Sequence, residues 1–265
     1  LRRFGEATEL PLREQVARAL VNKGYRLGQL NRSEEELAAY DEVLRRFGEA
    51  TELPLRERVA KALRNKGITL GQLKRSEEAL AAYDEVLRRF GEATELPLRE
   101  QVATALVNKG YRLGQLKRSE EELAAYDEVL RRFGEATELP LREQVAMALN
   151  GIGFKLLCEA KQIWANGEAG KAKQHLLLAQ EKIVASLERR PQEPVALGNY
   201  GYIQFLLGEK EHARELLTQA ITIGGEKIRQ GELEDADIHP LPQDEEFRAL
   251  VQIIPLQQKG QVGSA

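Results

Sequence analysis

The sequence is poor in the residues on which most catalytic chemistry depends. Its 265 residues include one cysteine, one methionine, one tryptophan and three histidines. A lone cysteine rules out an intrachain disulfide framework. Cys158 lies among Leu156, Leu157 and Ala160, the setting of an inert apolar thiol rather than of a nucleophile. His175, His212 and His239 are scattered, with no second ligand at metal-binding spacing. No glycine-rich phosphate loop follows a strand, and no segment has the period-two pattern of a strand. Glutamate-rich runs such as Ser33–Glu36 read as helix starts with a solvated face, and the DADIHP stretch at Asp235 as a turn. The expectation is a chain that is not an enzyme and uses no metal and no cofactor.

Two further absences narrow the partners. No apolar run reaches the roughly 18 residues of a membrane span, so no membrane is expected. Lysine and arginine total 39 against 42 acidic residues, a net charge of −3, which gives no bulk attraction to nucleic acid or anionic lipid. No secretory leader opens the chain, which starts inside a repeat at LRRFG; this reads as a cytoplasmic stretch of a longer array.

What is present is repetition. The block LRRFGEATEL begins at Leu1, Leu44, Leu87 and Leu130, an interval of 43 residues. A fixed period of that size marks a solenoid of stacked supersecondary units. Within the first unit, Pro11 suits a first helical turn, and Val16, Leu20, Leu27 and Leu30 recur on one helical face. They define a first helix over residues 11–30. Asn31 and Arg32 make a turn. Ser33 with Glu36 reads as a capping box, repeated at Ser119 and Glu122, and opens a second helix over 33–47. Leu37, Tyr40, Val43, Leu44 and Phe47 form its apolar face, and Gly48 is expected to stop it. Gly24 and Gly28 each cost roughly 1 kcal/mol inside the first helix, which points to a neighbour that must approach closely, with a kink in the helix as the alternative.

Set on Gly24, the unit resembles the tetratricopeptide repeat family. Leu20 stands on its large apolar position, Leu27 and Tyr40 on aromatic positions, and Val43 on a small one; Ala79 restores the second-helix alanine that is Glu36 in the first copy. The interval of 43 exceeds the family's 34, so the resemblance is to a long-repeat variant. The extra length lies in ATELPLRE.

Residues 1–130 thus read as three near-identical units. Residues 131–190 read as a divergent fourth pair with one overlong helix over 140–165, ended by Asn166 and Gly167, and a second helix to Arg189. Pro191 and Pro194 bracket a linker. Residues 191–227 form a unit of ordinary length, with Gly201, Gly208, Ala213 and Ala220 on the family's small positions, closed at Gly224 and Gly225. Residues 228–265 form a capping segment: a polar, turn-rich stretch, a short helix from Asp244 to Gln252 with Phe247, Leu250 and Val251 on one face, and a disordered tail. The fold expected is all-α, a superhelical solenoid of antiparallel helix pairs with a C-terminal cap.

The copies differ mainly along one face of the first helix. Its positions read Arg18, Lys61, Thr104 and Met147; Val21, Arg64, Val107 and Asn150; Tyr25, Ile68, Tyr111 and Phe154. Asn22, Asn65, Asn108 and Asn199 stand two residues before the glycine in their units, and Tyr202 stands on the Tyr25 position. In the resembling family these positions line a concave groove that holds peptides, and the asparagines meet the peptide backbone. The resemblance therefore implies a non-catalytic scaffold for a protein or peptide partner. A homo-oligomer through the open N-terminal end, or an interaction module of a larger protein with a catalytic domain elsewhere, is the alternative.

Overall fold

The computed structural model describes residues 9–256. The LRRFG start and the QQKGQVGSA tail lie outside the described residues. Among those described, about four-fifths are helical and none is in a strand. The chain divides into two compact units, Leu1–Gln144 and Val145–Ala265.

The first unit stacks three helix pairs: α1 (Leu10–Gln29) with α2 (Ser33–Phe47), α3 (Leu53–Gln72) with α4 (Ser76–Phe90), and α5 (Leu96–Gln115) with α6 (Ser119–Phe133). α3 packs on α4, on the preceding α2 and on both neighbouring first helices α1 and α5. This is an all-α solenoid of helix pairs. Each first helix starts with proline at its second position, where a missing N–H costs nothing. Each ends in one tight turn: Asn31, Lys74 and Lys117 take left-handed φ of 57°, 61° and 58°. The Arg32 N–H donates back to the Leu27 carbonyl at 3.0 Å and the Asn31 N–H to Gly28 at 2.9 Å, meeting two otherwise orphan carbonyls.

Three local expectations change. Ser33 is the first helical residue of α2 and not its cap; Arg32 holds the cap position with no side-chain cap bond and forks onto Glu35 at 2.6 Å. Glu36 turns inward, where its carboxylate accepts from the Tyr40 hydroxyl at 2.9 Å, so it is spent on packing rather than on capping. Gly48 keeps a helical φ of −55°, and the left-handed stop occurs at the other turn of the unit. Leu30, expected on the apolar stripe, is 65% exposed, whereas Leu116 at the same place at the end of α5 packs against the cluster of Leu80 from the preceding helix pair and Ala125 from its own.

The glycine in the middle of each first helix is explained by its neighbour. A methyl group on Gly24, Gly67 or Gly110 would lie 2.5, 2.4 or 2.6 Å from the ring of Tyr40, Tyr83 or Tyr126. The tyrosine of the second helix lies flat against first-helix backbone, and all three rings are buried. No kink accompanies these glycines, since α1, α3 and α5 each run 20 residues unbroken. The ATELPLRE insertion is not a slack loop either. Leu55, Leu98 and Leu141 within it are fully buried.

Ion pairs repeat along with the packing. Arg13, Arg56 and Arg99 reach Glu52, Glu95 and Glu138 of the next unit, the last two at 3.0 and 2.8 Å. Arg89 and Arg132 donate to the carbonyls of Gly48 and Gly91 at 3.0 and 2.9 Å. Two flanking arginines hold Glu42, Glu85 and Glu128 down at about 2.

α7 (Leu139–Ala165) is the overlong helix read from the sequence. The second unit continues with α8 (Ala169–Arg189), α9 (Pro194–Leu207), α10 (Lys210–Ala236) and α11 (Asp244–Ile253). One core runs through it, from Leu157 and Ile183 through Ile203 and Leu217 to Phe247 and Val251. α10 breaks at Gly225, where φ is 65° and ψ −152°. The stretch after that break was expected to be polar and turn-rich; instead it is helical to Ala236. Ile228 and Ala236 are buried there and Leu233 packs against the core, so an apolar stripe hidden among charges wins over the turn-forming composition.

Two glycines separate packing from propensity. Gly67→Ala should destabilise the chain by about 1–3 kcal/mol, since the Tyr83 ring must move. Gly170→Ala, in the open at the start of α8, should stabilise by about 0.4–1 kcal/mol. Denaturant unfolding of both variants checks the sign reversal.

Candidate functional site

The sequence-derived positions separate into exposed and buried sets. Tyr25 and Tyr111 are 56% and 59% exposed, and Arg18, Asn22 and Met147 are exposed as well. Lys61, Arg64, Asn65, Ile68, Thr104, Asn108, Asn150 and Phe154 are half-buried. Val21 and Val107, at 2% and 4%, are not available as surface and belong to the core. Their position joins the packed arc because a first helix packs on the next first helix as well as on its partner, which buries more than the single stripe of Val16, Leu20 and Leu27.

In the first unit the half-buried set forms polar rows. Arg64 donates to the Asn65 amide oxygen at 2.8 and 3.2 Å, and burial pushes the Arg64 guanidinium pKa down. The Asn65 amide nitrogen lies 3.5 Å from the Tyr40 hydroxyl of the preceding unit. Thr104 is turned back onto the Glu100 carbonyl at 2.8 Å. Burial, then the nearby Glu57, raises the pKa of Glu100. On α5, Gln101, Asn108 and Arg112 are spaced by seven and four, one line along a helix. Gln101 Oε1, Asn108 Nδ2 and Arg112 Nε are shielded from solvent and have no protein partner. Arg58 Nε on α3, at the position equivalent to Gln101, is in the same condition.

Arg112 also shows why one copy departs from the others. Where Glu36 and Glu122 lie against Gly28 and Gly114, the second copy has Ala79. The Arg112 guanidinium of the next first helix fills that space against Gly71, and Arg112 lowers the pKa of Tyr83, which burial nonetheless holds up at about 12. Gln101 and Arg112 were not among the sequence-derived candidates. Their signal was the variation between copies at those two positions.

In the second unit the candidate positions are closed. The Asn199 amide donates to Asn150 Oδ1 at 3.0 Å and is buried. Tyr202 is 1% exposed, stacked on Phe247 of α11 with centroids 4.1 Å apart, and its hydroxyl donates to Asp244 Oδ1 at 2.6 Å. Neither side chain faces solvent, which corrects the expectation of an open surface there. Lys161 of α7 completes the cluster. Its Nζ lies 3.3 Å from Asp244 Oδ2, 3.2 Å from the carbonyls of Asp235 and Ala236, and 4.7 Å from the Tyr202 ring centroid. The sequence clue was a lysine inside an apolar helical run. Among the described residues no group of histidine, cysteine and carboxylate side chains is placed to hold a metal ion, and no helix is long and apolar enough to cross a membrane.

Residues 195–223, which comprise α9 and the first half of α10, match the family model of the tetratricopeptide repeat. That stretch is a tetratricopeptide repeat. It coincides with the ordinary-length unit read from the sequence. Among solved structures the chain is similar to MamA 41-end from Desulfovibrio magneticus RS-1, at 18% identity over 78% of this chain and 94% of that one, with a TM-score of 0.47. It is similar also to YrrB, described as a TPR protein with an unusual peptide-binding site, at 20% identity over 79% and 87%, TM-score 0.42. A tetratricopeptide repeat protein from Parabacteroides merdae ATCC 43184 gives 16% identity over 90% and 99%, TM-score 0.36. Curated proteins give no match.

Two carboxylates of α10, Asp235 beside Lys161 and Glu232 against Gly198, make the second unit sensitive to pH. Burial raises Asp235 to about 6, against the opposing pull of Lys161, and raises Glu232 well above the ordinary range. A folded-state pKa above the unfolded one means that the folded form holds its proton more tightly. Stability then falls as pH rises from about 4 to about 6. Denaturant unfolding followed through Trp164, the only tryptophan, should show that fall, and Asp235→Asn should flatten it.

Proposed function

We propose that the first-helix face of the first unit binds an extended peptide or protein segment, and that the chain is a non-catalytic interaction scaffold. A tetratricopeptide-type helical repeat suits that role: stacked pairs present a row of similar helix faces without a single enclosed core. The observation that carries the reading is the line on α5. Gln101 Oε1, Asn108 Nδ2 and Arg112 Nε lack protein partners beside the exposed Tyr111 ring. Unmet donors and acceptors shielded from water cost free energy, and a peptide backbone alternates the complementary groups, which those side chains reach by turning outward. Asn22 and Asn65 repeat the amide at the matching places on α1 and α3, and Tyr25 and Ile68 the apolar neighbour.

The charge on α3 sets the preference. Arg58, Lys61 and Arg64 recur at three-residue spacing, with Arg58 3.6 Å from Glu57. The favoured ligand is an extended segment with an acidic residue and an aromatic or aliphatic anchor. The 43-residue units act here as a long-repeat variant of the tetratricopeptide repeat, with the added ATELPLRE anchoring each first helix through Leu55 and Leu98.

A peptide array screened against the chain, with groove variants as controls, tests this. Asn65→Ala and Asn108→Ala should each weaken the selected peptides by about 0.5–1.5 kcal/mol while leaving the helical signal unchanged. Arg64→Glu should act more strongly on acidic ligands, less so at high salt. Peptides that bind equally to all three variants would move the site to another surface.

A further inference from the structure

The second unit presents the same helix face already occupied. Gly201 of α9 stands where Gly24 stands in α1, which sets Gly198, Asn199 and Tyr202 on the positions of Val21, Asn22 and Tyr25. In α1 and α5 the last of these positions holds an exposed tyrosine. In α9 it is covered by the chain's own C-terminal segment. Phe247 stacks on Tyr202 and meets Phe205 edge-on at 5.3 Å between centroids. Asp244, one turn earlier in α11, takes the Tyr202 hydroxyl and the Lys161 ammonium. The Glu232 carboxyl lies against Gly198 so closely that a methyl group there would be 1.8 Å from Oε1.

We propose that α11 and the helical stretch before it act as an internal ligand on this face of α9, and that an external partner docks there by displacing them. This rests on the reading of the first-helix face as a binding surface. The occupant defines the chemistry of the partner: an amphipathic helical segment with a carboxylate three residues before an aromatic anchor, as Asp244 precedes Phe247, and a second apolar residue four further on, as Val251. The aromatic ring fills the space over Tyr202, and the carboxylate meets the Tyr202 hydroxyl and the Lys161 ammonium. Lys161 is 3.3 Å from Asp244 and enclosed with it, so a displacing segment without a carboxylate would leave a buried ammonium unpaired. That is a strong selection for an acidic partner.

The covering segment packs into the core of the second unit through Phe247 and Val251, but two non-helical joints flank its parts. It is joined at Gly225, a break with left-handed φ, and α11 follows a second non-helical joint at His239, also left-handed with φ 48° and followed by Pro240 and Pro242. Its contact is also imperfect: Glu232 Oε2 is shielded from solvent with no protein partner. An interface with an unmet carboxyl oxygen closes less firmly than an apolar one of equal size.

The test uses the full chain and a labelled peptide copying residues 240–254. In wild type, hydrogen exchange in α11 should be at least tenfold faster than in α9. Equal protection in the two helices would overturn the proposal, because the cap would then open only with the whole unit. Phe247→Ala in the chain should raise affinity for the peptide at least tenfold over wild type, and the same substitution in the peptide should abolish binding. Equal affinity of the two chains, or no binding to a Phe247→Ala chain with intact helical signal, would contradict it. If that variant unfolds, the exchange comparison decides. The affinity that the Phe247→Ala chain gains over wild type should persist when Asn65→Ala and Asn108→Ala are added to both chains. Loss of that gain would place the peptide in the first unit and defeat the displacement model while leaving the peptide-groove reading standing.

Discussion

The close approach of a tyrosine ring to the backbone of a neighbouring helix governs the repeat. Tyr40, Tyr83 and Tyr126 each lie against a glycine of their partner helix, with no room for even a methyl group. That contact fixes the distance and rotation of each pair, and therefore which first-helix residues face the next unit and which remain outside. It also accounts for the first of the two glycines in each such helix; the second, Gly28, Gly71 or Gly114, lies against Glu36, Arg112 or Glu122. The helical propensity lost, about 1 kcal/mol per glycine, is offset by the burial of a large ring.

From that geometry the remaining features follow. A first helix in the stack is enclosed by its partner and by the units on both sides, so it buries a broad arc that includes Leu55, Val59, Leu63 and Leu70 in α3. The strip left over is narrow and runs through the positions of Asn65, Ile68, Asn108 and Tyr111. Variation falls both on exposed positions such as Arg18 and Tyr25 and on packed ones such as Val21 and Glu36. The exchange of Glu36 for Ala79, filled by Arg112, shows that a change within the packing must be answered from the adjoining unit. Exposed ion pairs such as Arg45 with Glu42 repeat faithfully but add little individually to stability.

Much of this was legible in the sequence. The 43-residue period, the 3.6-residue stripes and the prolines at helix starts placed the helices to within a residue or two, and the glycine at position 24 announced a close contact. Three of the errors share one physical origin. Local signals identify single helices, whereas Glu36, Val21 and Tyr202 are decided by what packs across them. Glu36 looked like half of a capping box but bonds a buried tyrosine. Val21 looked peripheral to a single stripe but lies within a wider buried arc. Tyr202 looked like a groove residue until α11 covered it, and that helix is 42 residues further along the chain. Residues 226–236 failed for a different reason: their charges outnumber the few apolar residues that hold them in place.

The central claim is the proposal that the first-helix face of the first unit is a recognition surface, argued from the unpaired Gln101, Asn108 and Arg112 atoms on α5. The most direct measurement is a nuclear magnetic resonance titration of the chain with an extended acidic peptide carrying one aromatic residue, followed through the side-chain amide signals of Asn65 and Asn108 and the ring signals of Tyr111. The account predicts that these signals shift together and saturate at one peptide per chain. Saturable shifts confined to the second helices, with the Asn65, Asn108 and Tyr111 signals unmoved, would contradict it.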